Sequence, residues 1–158
     1  MPTRRDFLRL ALLGSASSAF AQSAAAGPTR LTLSEAEWRG RLTPSRFAIL
    51  REAGTEPAFT SSLLHEQRAG RFACAGCGAA LFSSRTKYDS GTGWPSFWAP
   101  IGRSVRTSRD TSLGMVRTAV VCTRCEGHLG HIFDDGPKPT GLRYCINGLA
   151  LVFVPGRA

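Results

Sequence analysis

A mainly antiparallel β domain with two short helices in front is the fold class this chain predicts, on three observations. From Arg71 onward, short apolar runs recur between clusters of Gly, Pro, Asp and Ser. Each is of strand length and none leaves room for a long helix after it. The helix start signals, at Ser34 and Thr43, precede that region. Four of the five cysteines form two Cys-x-x-Cys pairs, Cys74/Cys77 and Cys122/Cys125, with 44 residues between them. Two such pairs supply the four thiolates of a tetrahedral zinc site.

The elements follow in order. Ser34-Glu35-Ala36-Glu37 fits a capping box and starts a short helix near Glu35. Thr43-Pro44 reads as an N-cap with proline at the first helical position. Phe47, Ile49 and Leu50 give that second helix an apolar side, and Gly54 is placed to end it. Thr55 to Gly70 is irregular. Strands are expected over Arg71–Cys74, Ala80–Ser83, Val105–Arg109, Met115–Cys122, Ile132–Asp134, Leu142–Ile146 and Ala150–Val154. No P-loop and no Gly-rich dinucleotide fingerprint is present, which argues against nucleotide-dependent chemistry.

The amino-terminal residues read as a targeting segment. Arg4-Arg5-Asp6-Phe7-Leu8-Arg9 precedes a short apolar run, and the whole resembles a bacterial twin-arginine export signal. Ala19 and Ala21 form an Ala-x-Ala cleavage pattern around Phe20, so residues 1–21 are expected to be removed on export to the periplasm. The apolar run is about 12 residues, short of the roughly 20 a spanning helix needs. Residues 22–33 read as a flexible mature terminus, and residues 34–158 as one domain. The chain carries a formal +9, and the removed segment holds +2 of it (Arg4, Arg5 and Arg9 against Asp6). The remaining positive residues are scattered, which points to a solvated basic surface and not to nucleic acid.

The fifth cysteine, Cys145, is left over in Arg143-Tyr144-Cys145-Ile146-Asn147. A single leftover thiol with histidines elsewhere is a candidate nucleophile. Two readings compete with it: a zinc-ribbon binding module, and a thiol–disulfide exchanger working through one Cys-x-x-Cys. His128 and His131 lie three apart, so a turn or helix would face them the same way.

Four segments join the cysteine pairs in a fixed order: Ser90-Gly91-Thr92-Gly93-Trp94-Pro95-Ser96-Phe97, His128-Leu129-Gly130-His131, Asp134-Asp135-Gly136-Pro137 and Thr140-Gly141-Leu142-Arg143-Tyr144-Cys145-Ile146-Asn147. Together they resemble the B-type peptide methionine-R-sulfoxide reductases, over roughly Ser34 to Pro155. The resemblance implies two antiparallel sheets stapled by one structural Zn2+ on Cys74, Cys77, Cys122 and Cys125, with the catalytic thiol on a strand. It implies Cys145 as nucleophile, His128 and His131 as the groups that polarise the sulfoxide oxygen, and Asn147 and Arg143 as supports. Trp94 and Phe97 are expected beside the substrate. Oxidised proteins or peptides are the implied substrates of a monomer that needs no membrane after signal removal. Many relatives carry a resolving cysteine where this chain has Thr92, so an external thiol, a thioredoxin-like protein or a small molecule, is the expected reductant.

Overall fold

The computed structural model describes residues 29–157; the expected export signal, residues 1–21, and residues 22–28 of the expected flexible terminus lie outside the described residues. Helix α1 (Glu35–Arg41) starts at Ser34, whose hydroxyl accepts from Glu37 N–H while the Glu37 carboxylate accepts from Ser34 N–H. Helix α2 (Pro44–Glu52) starts at Thr43 with Pro44 in its first turn. Its left-handed cap is Ala53, one residue before the expected Gly54. Trp38 of α1 and Phe47, Ile49 and Leu50 of α2 are buried. Among the described residues, no helix is long and apolar enough to cross a membrane.

Among the described residues, nine strands form two sheets. The smaller orders β2 (Ala80–Ser83), β1 (Gly70–Cys74) and β9 (Leu151–Pro155). The larger orders β3 (Lys87–Tyr88), β4 (Ser96–Phe97), β8 (Arg143–Ile146), β7 (His128–Phe133), β6 (Arg117–Cys122) and β5 (Val105–Asp110). Every registered pairing is antiparallel. The two-residue strands β3 and β4 are not anticipated by the sequence, because each is too short to show a period. Strand β7 begins at His128, four residues before the expected Ile132.

The sheets meet through aromatic side chains. Phe82 of β2 stacks on Phe97 of β4 with ring centroids 4.4 Å apart, and Phe72 of β1 meets Phe97 edge-on at 5.0 Å. Such pairs add roughly 0.5–1.5 kcal/mol each beyond their buried area. The inner face of the larger sheet also carries Val120, Leu129 and Ile146, all fully buried. Strands alternate their side chains between faces, so the neighbours of these residues point to the other side.

Candidate active site

That other face of the larger sheet carries the site. Ser96, Cys145, His131 and Ala119 are successive cross-strand partners on β4, β8, β7 and β6. Partners directly opposite stand on one face with their Cβ atoms about 4.5–5.5 Å apart. Cys145 and His131 are therefore side by side because of sheet register.

His128 and His131 should point to opposite faces of a regular strand, being three residues apart. A bulge resolves this. Val120 pairs with Gly130, but Val121 pairs with His128, so Leu129 is the extra residue on β7. The alternation resets, and the two rings lie edge-on with centroids 5.3 Å apart. The bulged strand thus brings the two histidines to one side, as a turn or helix would at this spacing. Gly130 leaves no room for a side chain between β7 and β8: a Cβ there would lie 2.0 Å from the Cys145 carbonyl oxygen.

Cys145, His131, Trp94, Asn147, Thr55, Gly130, Arg117 and Phe133 line one cavity of about 170 Å³. The Trp94 indole N–H donates to the Glu56 carbonyl at 3.0 Å. Asn147 is buried; its Oδ1 accepts from Glu56 N–H and its Nδ2 donates to the Leu129 carbonyl, both at 3.0 Å. The Glu56 carboxylate, itself buried, accepts from Gly148 N–H and Leu149 N–H. One glutamate thus ties Trp94 and Asn147 to the same turn.

The Cys145 thiol is half-buried, and burial pushes its pKa up; Thr92 and Arg143 act in the opposite direction. Thr92 Oγ1 lies 3.8 Å from Cys145 Sγ. Arg143 holds Asp135 through two hydrogen bonds of 2.8 Å and lies 4.3 Å over the Phe133 ring. Burial lowers the His128 pKa to about 4, so its imidazole is neutral at pH 7, and its Nε2 has no hydrogen-bond partner among the described residues.

The expected placement of Phe97 beside the substrate does not hold. Phe97 pairs with Tyr144, the neighbour of Cys145, so its ring points to the core face and is fully buried. His128 stands beside His131 and is not part of the cavity lining. Sequence reasoning missed Glu56, Asp110 and Arg117. Glu56 lies in an irregular segment and Asp110 at a strand end, and no spacing rule marks either.

Residues 42–155 match the SelR domain family. The chain is 54% identical to a protein named peptide methionine sulfoxide reductase MsrB from Leptospira interrogans, over 76% of this chain and 92% of that protein. Proteins of the same name from Thiobacillus denitrificans and Bradyrhizobium diazoefficiens are each 55% identical over 77% of this chain, and 92% and 88% of their own lengths. The chain belongs to the SelR, or MsrB, family.

In this SelR domain the four paired cysteines are buried, with all sulfurs within 4.8 Å of one another. Cys74 and Cys125 Sγ lie 3.6 Å apart, as do Cys77 and Cys122 Sγ. A tetrahedron with about 2.3 Å metal–sulfur bonds has edges of roughly 3.8 Å, so the set fits a metal of zinc's size. The spacing is far beyond the roughly 2.05 Å of a disulfide. Each pair closes a matching turn: Gly78 N–H donates to the Cys74 carbonyl, and Glu126 N–H to the Cys122 carbonyl. Gly78 and Glu126 take positive φ, 74° and 59°. Cys74 ends β1 and Cys122 ends β6, so a bound metal joins the two sheets.

Proposed function

We propose that this protein reduces the R epimer of peptidyl methionine sulfoxide to methionine through a sulfenic acid at Cys145. The observation that carries this reading is the cavity shared by Cys145, His131, Trp94 and Asn147. The Trp94 ring offers an apolar wall to the S-methyl group, and His131 stands beside the thiol to meet the oxygen. Methyl, oxygen and peptide chain then have fixed directions, and only one configuration at sulfur satisfies all three.

The Cys145 thiolate attacks the sulfoxide sulfur while the oxygen gains a proton. Oxygen passes to Cys145, the sulfur–oxygen bond of the substrate breaks, and methionine leaves. Cysteine is oxidised to a sulfenic acid by two electrons as the substrate is reduced by two. An external thiol condenses with the sulfenic acid, releasing water and leaving a mixed disulfide. A second external thiol attacks that disulfide and returns Cys145 to the thiol. Thr92, 3.8 Å from Sγ, provides no second sulfur, and the four remaining cysteines are gathered at the metal site.

Zn2+ is the metal we assign to Cys74, Cys77, Cys122 and Cys125; it closes all four positions with thiolates and supplies structure only. The arginine pair of residues 4 and 5 and the apolar run after it support export by the twin-arginine route and a periplasmic site of action.

The test is turnover of both epimers of a methionine sulfoxide peptide with dithiothreitol. Reduction of R and not S, abolished in Cys145→Ser, is the expected result. Retained activity in Cys145→Ser refutes the nucleophile, and reduction of S refutes the stereochemical reading.

A further inference from the structure

Asp110 ends β5, and its Oδ2 lies 2.7 Å from His131 Nε2. The same oxygen accepts from Arg117 Nη2 at 2.9 Å, while Oδ1 accepts from Ser112 N–H at 2.9 Å. Strands β5 and β7 are not neighbours, because β6 runs between them. A side-chain hydrogen bond therefore spans two strand spacings, about 10 Å of sheet. The residue of β6 that pairs with His131 is Ala119, whose methyl group leaves the imidazole room to reach across.

We propose that Asp110 is a positioning residue of this reductase: it holds His131 as the Nε2–H tautomer, so that Nδ1 serves the reacting sulfur and oxygen. This inference rests on the function proposed above. An ionised carboxylate only accepts hydrogen bonds, so the proton between the two groups belongs to the imidazole. Hydrogen bonds from Ser112, then His131, hold the Asp110 pKa below the usual carboxylate range. Nδ1 makes no hydrogen bond to the described residues. His128 has no carboxylate partner among them and stays neutral, so the two imidazoles have different work despite their proximity.

The proton path then balances. The Cys145 thiol gives its proton to His131 Nδ1, producing a thiolate and an imidazolium held by Asp110. As the thiolate attacks sulfur, the imidazolium gives that proton to the sulfoxide oxygen and returns to the Nε2–H form.

The test combines nitrogen-15 NMR of the histidines with kinetics of Asp110→Asn on the full, metal-loaded protein. Wild-type His131 should show the Nε2–H tautomer; the Nδ1–H tautomer overturns the proposal whatever the activity. Asp110→Asn should lower kcat at least about tenfold with KM within about twofold. An unchanged kcat, or a loss confined to KM, overturns it. In the His131→Gln background, Asp110→Asn should add nothing, and a further loss of the same factor would show independent action. Ala119→Val, which obstructs the path without altering either partner, should reproduce the kcat loss and keeps the test open if Asp110→Asn does not fold. Activity surviving in Cys145→Ser sinks the proposed function instead, and leaves the tautomer result standing.

Discussion

Replacing Gly130 by alanine tests whether the close approach of β7 and β8 builds the site. The added Cβ would lie 2.0 Å from the Cys145 carbonyl oxygen and 3.0 Å from the Ile146 Cα. Side-chain Cβ atoms do not approach backbone closer than 3.0 Å, so the strands must part by about 1 Å. Next to Gly130, the Leu129 carbonyl accepts from Asn147 N–H at 2.9 Å and from Asn147 Nδ2 at 3.0 Å. Parting by about 1 Å takes both beyond hydrogen-bonding range. Two lost bonds, with buried groups left unmet, cost about 2–4 kcal/mol. For a domain of this size that lowers Tm by about 10 °C. A displacement of about 1 Å between His131 and Cys145 also costs about 100-fold in rate.

The assay is a thermal melt together with kcat/KM on the peptide sulfoxide. Gly40→Ala in α1 is the control, because a Cβ there meets nothing within 4 Å. It should be neutral or stabilising by up to about 1 kcal/mol. A Gly130→Ala protein with Tm within about 2 °C of wild type and unchanged kcat/KM would refute the reasoning, because the ladder would then have yielded at no cost.

Two further outcomes follow from the metal site and from His128. Chelation of the Zn2+ proposed above should unfold the domain cooperatively, because a structural zinc contributes about 10–16 kcal/mol and a domain's whole stability is about 5–15 kcal/mol; circular dichroism with added chelator reads it, and a chelated protein that keeps its Tm refutes the staple. The His128 pKa is lowered from 6.5 to about 4 in the folded state, so the unfolded chain binds more protons between those values. Its contribution to stability is complete above pH 6.5 and lost as pH falls to about 4; denaturant melts of wild type and His128→Gln at about pH 7 and about pH 5 check this, and equal pH dependence in the two proteins contradicts it.

The parts legible in the sequence are those written in local spacing. The capping box at Ser34 and Glu37, the Thr43-Pro44 helix start and both Cys-x-x-Cys turns each need only a few consecutive residues, and all appear as expected. Cys145, His131 and Trp94 are legible as candidates by residue type and resemblance, and one cavity brings them together. The role of Glu56 is not legible, because its partners are Trp94, Asn147, Gly148 and Leu149, 38 or more residues away in the chain. Phe97 is misplaced by sequence reasoning for a related reason. Its neighbours in sequence belong to the site, but the two-residue strand β4 sends Ser96 toward Cys145 and the Phe97 ring into the core.

The two histidines show what local spacing leaves undetermined. A helix, a turn and a bulged strand all bring residues i and i+3 to one face, and only the pairing of β7 with its neighbours selects among them. That pairing demands a buried apolar residue at 129 and a residue without Cβ at 130. Leu129 is fully buried on the core face, and Gly130 fits under the Cys145 carbonyl. The run His128-Leu129-Gly130-His131 therefore meets three requirements at once: two imidazoles outward, one anchor inward and one close approach. A helix would need neither of the last two, which is why the glycine between the histidines, more than either histidine, marks this segment as a strand.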